Sequence, residues 1–374
     1  MVRRGGGRSL PGVGPAPLLL LLLLAGPLLP AGGTASVATR EAELDHWVPP
    51  LMRAAAVPGL EIAVVQDGAV VLHRAYGVGE RGEEAPLSED GVFEAASLSK
   101  PLFSYAVLRL VEQKKLDLDA SLADFLEEPF MDDERLPEVT ARMVLSHMTG
   151  FPNWRPQRWT DEPEALEFET PPGEEWGYSG EGFIYLQQVV EAITGQPAAA
   201  FLRETLLEPL GMRRSSYAWE DRFAEPRVRG HDTDGVPEED RWEEGEALVA
   251  GSLETTAMDY ARFLIAMLDR SEPEEFELLP SSIEEMLTPQ AEVDPGIAWG
   301  LGWGLEEEGG IFWHWGDNEV WKAFTMGSRE SGTGIVILTN GANGLQVIRP
   351  IVELVFPGEH PSLDFRMLEY NYRD

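Results

Sequence analysis

A serine and a lysine three residues apart are the first sign of chemistry in this sequence. Ser97 and Lys100 stand in ASLSKPLFSYAVLRL, residues 96–110, a stretch otherwise almost wholly apolar. Lys100 is one of four lysines in the chain, against 25 arginines. At i and i+3 the two side chains share a helix face. Pro101 lacks an N–H and fits only a helix's first turn, so a helix is expected to begin near Ser97. There a serine meets the positive end of the helix dipole, and free backbone N–H groups can hold an oxyanion. Burial lowers a lysine's pKa, so Lys100 is expected to be partly neutral and able to take a proton from Ser97. The competing reading is a chance Ser-x-x-Lys with its ammonium paired to a carboxylate.

Two further segments extend the constellation. PPGEEWGYSGEGF (171–183) puts Tyr178 just before an amphipathic helical stretch, where a phenol could relay a proton between serine and leaving group. FWHWGDN (312–318) puts His314 and Gly316 on or at the end of a strand. Gly316 would let a substrate lie against the backbone, and the N–H of Asp317 would join that of Ser97 as an oxyanion donor. Taken singly, such a tyrosine more often packs in a core, and such a histidine in a sheet. Trp154, Trp176, Trp313, Trp315 and Trp321 gather around these segments, either as an aromatic substrate wall or as ordinary packing. The six histidines are scattered with no His-x-x-x-His spacing, so neither a metal nor another cofactor is expected. The glycines of GVGERGEE (77–84) read as a turn rather than a nucleotide loop.

The elements that must position these groups follow from periodicity and turn chemistry. A helix is expected at about 38–55, then strands at 60–66 and 69–79 joined by Asp67-Gly68, a hairpin signal. Helical patterns fill the middle, at 97–113, 139–148, 181–194, 197–207 and 255–268. Strand character returns at 310–316, 320–328 and 333–341, before a last helix at about 344–356. Strands at both chain ends and helices between them imply an α/β (α+β) fold. One antiparallel sheet would be built from residues 36–96 and 290–374, with a mainly helical domain at 97–289 and a ligand cleft between the two.

Composition bounds the setting. The chain has 374 residues, no cysteine and a formal charge of −36. Disulfides, a thiol nucleophile and cysteine-bound metal are therefore excluded. Residues 1–35 hold three arginines and no acid, then an apolar run of about a dozen at Leu18–Leu29 and small residues at Gly33-Thr34-Ala35. This reads as a secretory signal peptide, too short to span a membrane, with an uncleaved anchor as the alternative. A periplasmic or extracellular protein is expected. Without that leader the charge is −39, which repels nucleic acid and anionic lipid. The acidic runs EEGE (243–246) and EPEEFE (272–277) read as solvated faces.

The motifs, taken in order, resemble the serine β-lactamase and penicillin-binding-protein-like hydrolases, in the branch of class C β-lactamases, DD-peptidases and related esterases. FEAASLSK resembles the nucleophile motif, LSHMTGFPNW (145–154) a second landmark, YSGEGF the Tyr-x-Asn motif, and HWGDN the Lys/His-x-Gly motif. EPLGM (208–212), VAGSLETTAMDYARFL (249–264) and WGLGW (299–303) also look like family landmarks, and the likeness runs over roughly 45–357. It implies a β-lactamase/transpeptidase-like fold and an acyl-enzyme. Ser97 would be the nucleophile, Lys100 and Tyr178 would share the base and acid roles, and His314 would orient Tyr178 or the substrate. Asn153, Trp154, Gly180, Trp315 and Gly316 are candidate substrate-binding positions. Gly180 stands where the family has asparagine, and Trp315 where it has a small, often hydroxylated residue. Both departures point away from β-lactams and D-Ala-D-Ala peptides toward an ester or an amide without a free carboxylate. Trp315→Thr with Gly180→Asn is therefore expected to raise β-lactam turnover relative to ester turnover. A true β-lactamase or DD-carboxypeptidase is the alternative among enzymes, and a non-catalytic binding protein that kept the fold is the alternative of another class. The expected partner is a small-molecule or peptide substrate. Neither nucleic acid nor membrane insertion beyond the leader is expected, and the sequence leaves the oligomeric state open.

Overall fold

Asp67 and Gly68 both take left-handed backbone angles, φ 49° and 78°, the requirement of a tight two-residue hairpin turn. They join β1 (Gly59–Gln66) to β2 (Ala69–Gly77), which follow a first helix, α1 (Val37–Ala54). The computed structural model describes residues 37–160, 162–226, 228–238, 247–269 and 273–369. The leader-like residues 1–35, the acidic run 243–246 and the first residue of the 272–277 run lie outside these ranges.

A short strand β3 (Phe93–Glu94) leads into α2 (Ser99–Glu112), α3 (Ala141–Leu145), α4 (Gly180–Thr194) and α5 (Ala198–Leu202). Then β4 (Glu254–Thr255) pairs with β3, followed by α6 (Ala257–Leu268) and α7 (Pro280–Met286). The last third holds β5 (Ala291–Asp294), β6 (Ile297–Trp299), β7 (Gly304–Glu306), β8 (Ile311–Asn318), β9 (Trp321–Ser328) and β10 (Thr333–Thr339), then α8 (Ile348–Val355) and α9 (Arg366–Glu369).

Both chain ends share one sheet, as the pattern of strands predicted. Its order is β2-β1-β10-β9-β8-β7-β6-β5, and every neighbouring pair is antiparallel. β1 runs beside β10 from Leu60 opposite Thr339 to Gln66 opposite Thr333. β9 and β10 are buried at every position, so both faces of the sheet are covered. One face packs Ile62, Val64, Ile335 and Ile337 against Leu44 and Val48 of α1 and Ile351 of α8. On the other, Ala63, Val65, Val336 and Leu338 join one apolar cluster with the helical segment, including Leu264 of α6 and Leu102 of α2.

Besides the two-residue pair β3 and β4, the structure adds to the large sheet three short strands, β5 to β7, that periodicity missed. Three or four residues are too few to show alternation, and Gly296, Gly300 and Gly302 interrupt the run. Helices also differ from expectation, two of them near the site. The 139–148 pattern yields only α3, and the helix expected from 97 starts at Ser99 after a single 3₁₀ turn, Ala96–Leu98. That turn carries Ser97.

Candidate active site

Ser97 is held in a turn fixed by hydrogen bonds on several sides. Ala96 has φ 49°, unusual for a residue with a side chain and a mark of locally stored strain. The turn closes with the Leu98 N–H donating to Ala95 O at 3.0 Å. Tyr217 donates its hydroxyl to Ser99 O at 2.6 Å, and Tyr260 to Leu98 O at 3.1 Å. Ser99 is fully buried and committed: its Oγ donates to Ala96 O at 2.5 Å and accepts from the Leu253 N–H at 2.9 Å. Ser97, half-buried, is the serine of this pair that faces the cleft.

Lys100 answers the question its burial raises. It is 0% exposed, and α2 around it is buried from Ser99 through Leu108. Its Nζ donates to Ser97 Oγ at 3.0 Å and to Ala250 O at 2.7 Å, and lies 4.8 Å from the Tyr178 ring centre. No carboxylate is among these partners. Burial alone pushes the ammonium down to about 7, because the charged form loses its water and gains no counter-ion. The pairing with a carboxylate that the sequence left open is not what the structure has.

Tyr178 sits directly before α4, and its place is fixed by the segment around His147. Ser179 caps α4 by accepting from the Gly182 N–H at 3.0 Å, and its hydroxyl donates to Pro152 O at 2.8 Å. The Ser179 N–H donates to His147 Nδ1 at 3.0 Å, which leaves the proton of this imidazole on Nε2. The His147 ring lies 4.3 Å from that of Tyr178. In the sequence His147 is only one residue of the LSHMTGFPNW landmark, with no role of its own. Its left-handed backbone, φ 58°, and full burial hold its ring against that of Tyr178. The Tyr178 hydroxyl is buried without a well-formed hydrogen bond, though Ser97 is near enough to ease its ionisation. Burial wins, and the phenol is raised above its ordinary range, so it stays protonated.

His314 lies on β8, fully buried, its ring 6.1 Å from Tyr178 and stacked on Trp315. Nδ1 is 2.7 Å from Trp315 O and must donate to it. Burial, with the nearby Lys100 second, pushes this imidazole down to about 3. His147 is driven down by the same causes. Both histidines are thus neutral at neutral pH, and His314 offers no positive charge to a substrate. Of these four groups, Lys100 alone is poised to titrate near neutrality.

β8 brings the last element. β7 pairs with it only at Phe312 and Trp313, so from His314 onward that edge of β8 is open toward the Ser97 turn. A Cβ at Gly316 would lie 2.3 Å from Ala95 O and 3.1 Å from the Ala96 side chain. Only glycine lets strand and turn approach this closely, which brings the Ser97 and Asp317 backbones to the same cleft. The Asp317 carboxylate itself is paired with Lys322. Gly316→Ala should push the strand from the turn and lower kcat about a hundredfold, the scale of one lost oxyanion donor. Steady-state ester kinetics beside a melting curve would check it. A normal kcat would show that this approach does not matter.

Around Ser97 opens a cleft of about 1220 Å³. Trp154, Trp315 and Trp321 line it, with Trp159 and Trp219, which the sequence did not single out. Trp176 and Trp313 pack behind Tyr178 instead, against Trp299 and Phe365. The tryptophan cluster is therefore part wall and part core. Asn153 borders the cleft but also holds α4: its backbone and side-chain oxygens accept the Gly180 N–H, each at 3.0 Å. Arg155 grips the buried Glu181 with two side-chain hydrogen bonds, at 2.9 and 2.7 Å, and one from its backbone N–H at 3.1 Å. Trp154, between these anchors, lays its indole on Gly180, where a Cβ would meet the ring at 2.3 Å. The absent side chain at Gly180 and the indole of Trp154 are two halves of one feature.

Comparisons with known proteins bear on the family and the fold. The Beta-lactamase family model matches residues 44–351, and the chain belongs to that family. It is 32% identical over 250 residues to "Esterase EstB" from Burkholderia gladioli. The match covers 60% of this chain and 62% of that relative, so the chain spans less than two thirds of the esterase's length. Among solved structures, a "Beta-Lactamase/D-Alanine Carboxypeptidase" from Pseudomonas syringae superposes with a TM-score of 0.74 at 18% identity, over 86% of this chain and 99% of that one. The octameric penicillin-binding protein homologue from Pyrococcus abyssi gives 0.72 at 22%, over 89% and 80%. At these identities the two structures bear on the fold alone.

Proposed function

We propose that the protein is a serine hydrolase that cleaves an ester, or an amide without a free carboxylate, through an acyl-enzyme. Neutral Lys100 takes the proton of Ser97 Oγ as that oxygen attacks the carbonyl carbon. The N–H groups of Ser97 and Asp317 hold the resulting oxyanion. The C–O or C–N bond then breaks, and the leaving group takes up a proton through Tyr178 from the Lys100 side. Water next attacks the acyl carbon with the same groups in reverse, releasing the acid and restoring Ser97–OH. One observation carries the reading: the Lys100 amine, lowered to about 7 with no counter-ion, stands 3.0 Å from the half-buried Ser97 hydroxyl. A binding protein would have no use for that costly burial.

Export is part of the same reading and rests on the leader-like composition of residues 1–35. Among the described residues no helix is long and apolar enough to cross a membrane.

Labelling tests the assignment. A fluorophosphonate should add one mass to the wild type and none to Ser97→Ala, with unchanged circular dichroism. A fluorescent penicillin run in parallel should label weakly. An adduct that persists in Ser97→Ala, on Ser99 or elsewhere, would remove Ser97 from its role.

A further inference from the structure

We infer that Asn318 is a positioning residue for the acylation step, an inference that rests on the hydrolase reading above. Its one side-chain amide ties together the oxyanion strand, the nucleophile turn and the segment that holds Lys100. Asn318 is the last residue of β8, paired with Trp321 across the end of the β8–β9 hairpin, so the sheet fixes its backbone. Its side-chain nitrogen carries two hydrogens, and two acceptors meet it: Glu94 Oε2 at 3.1 Å and Gly251 O at 3.2 Å. These partners lie 224 and 67 residues away in the chain. Glu94, on β3, stands shortly before Ser97. Gly251 follows Ala250, whose carbonyl accepts from Lys100 Nζ at 2.7 Å. Asp317, whose N–H is the second oxyanion donor of the proposed mechanism, directly precedes Asn318.

The strand register explains why this position carries the tie. Side chains two apart on a strand share a face, so Gly316 and Asn318 both look toward the segment that leads into Ser97. Gly316 meets Ala95 and Ala96, where a Cβ would lie 2.3 Å from Ala95 O. Asn318, two residues further along β8, reaches Glu94. The glycine lets strand and turn approach, and the asparagine holds them there. The segment around Gly251 is bound to the nucleophile turn at its other end as well. The Ala95 N–H donates to Leu253 O at 2.8 Å, and the Leu253 N–H to Ser99 Oγ at 2.9 Å. Those bonds fix Leu253. The bond from Asn318 fixes Gly251, beside the carbonyl that orients Lys100. Asn318 borders the cleft and is half-buried, but its donors are spent on the protein, so it acts through its neighbours.

Asn318→Leu, close in shape but without the N–H groups, tests this, with Asn318→Ala as a smaller second variant. On p-nitrophenyl butyrate, kcat per folded molecule should fall about thirtyfold, within what a misplacement of about 1 Å costs, while KM stays within about twofold. An alkylboronic acid forms a tetrahedral adduct on the serine oxygen and so calls on the same oxyanion donors. Its affinity should fall by a factor similar to that in kcat. A residue that only stabilises the fold would lower the melting temperature and leave kcat per folded molecule unchanged, and that result overturns the inference. So does a rise in KM at constant kcat, which would put Asn318 on the substrate, or a wild-type boronate affinity beside a reduced kcat. Failure of the hydrolase reading looks different: the wild type itself would neither turn over an ester nor take a fluorophosphonate. Amide hydrogen exchange then tests the tie alone. Asn318→Leu should speed exchange at 93–99 and at 248–253 together, and unchanged exchange in either segment would refute the tie.

Discussion

Lys100→Arg should lower kcat/KM for a neutral ester almost as far as Lys100→Ala, by about a thousandfold, the middle of the range for a lost general base. Arginine keeps a positive charge at this position but cannot give up its proton in any protein site. Lysine can, because burial lowers it to about 7. The wild-type rate on a neutral ester should therefore rise with pH through about 7 and then level, as the amine becomes neutral. The two histidines cannot produce that limb, since both have lost their protons well below it. An arginine variant with a near-normal rate would show that charge, not proton transfer, is what the site needs. Stability gives a second reading of the same group. The folded lysine titrates near 7 and the unfolded one near 10.5, so between these values the unfolded chain binds more protons and stability rises with pH. Below about 7 the full penalty of burying the ammonium applies. Lys100→Met should thus melt above the wild type there, with the gap narrowing as pH rises toward the lysine's ordinary range. Differential scanning calorimetry across that window reads it, and a methionine variant that melts lower throughout would contradict the burial penalty.

The parts of this site that were legible in the sequence are those written in short segments. Ser97 with Lys100, and Gly316 with Asp317, each lie within four residues of one another, so spacing alone set their relation. The strands at both chain ends announced a shared sheet, because β1, β2 and β8 to β10 are long enough for turn signals and apolar runs to speak. What stayed hidden depends on contacts between distant segments. Ala250 O, which holds the Lys100 amine, is 150 residues away in the chain. His147 could have been noticed only as a polar residue inside an apolar segment. Its task, accepting the Ser179 N–H, is a matter of tertiary placement. Arg155 and Glu181 likewise look like two more charges in an acidic chain, until the structure shows Glu181 fully buried with Arg155 across it. Trp154 and Gly180 make the point most sharply. The sequence showed a missing side chain at Gly180 and, separately, a tryptophan; their fit is visible only when the indole is seen on the glycine.

That fit changes how substrate preference must be tested. Short neutral esters such as p-nitrophenyl butyrate should be cleaved, while kcat/KM for benzylpenicillin, cephalosporins and D-Ala-D-Ala peptides should be about three orders of magnitude lower or less. Three causes add in the same direction. Trp315, 4% exposed, brings an indole where the family resemblance calls for a hydroxyl to meet a carboxylate. His314 is neutral, so it does not offset the cost of desolvating that carboxylate, several kcal/mol for a poorly partnered charge. The chain's formal charge of −36 adds weak long-range repulsion of an anion. From the sequence, Trp315→Thr with Gly180→Asn was the expected route to β-lactam turnover. With Trp154 clamped over Gly180, an asparagine there has no room, since its Cβ alone would come within 2.3 Å of the ring. The double variant should therefore gain little and should melt lower than the wild type. Adding Trp154→Ala frees the space, and only the triple variant should raise the ratio of penicillin to ester turnover by tenfold or so. Measuring both substrates on wild type, double and triple variants decides the matter. A double variant that gains as much as the triple would mean the indole yields easily. Wild-type hydrolysis of benzylpenicillin at a rate matching the ester would overturn the ester reading, because the unpartnered carboxylate would then have found a partner the structure does not provide.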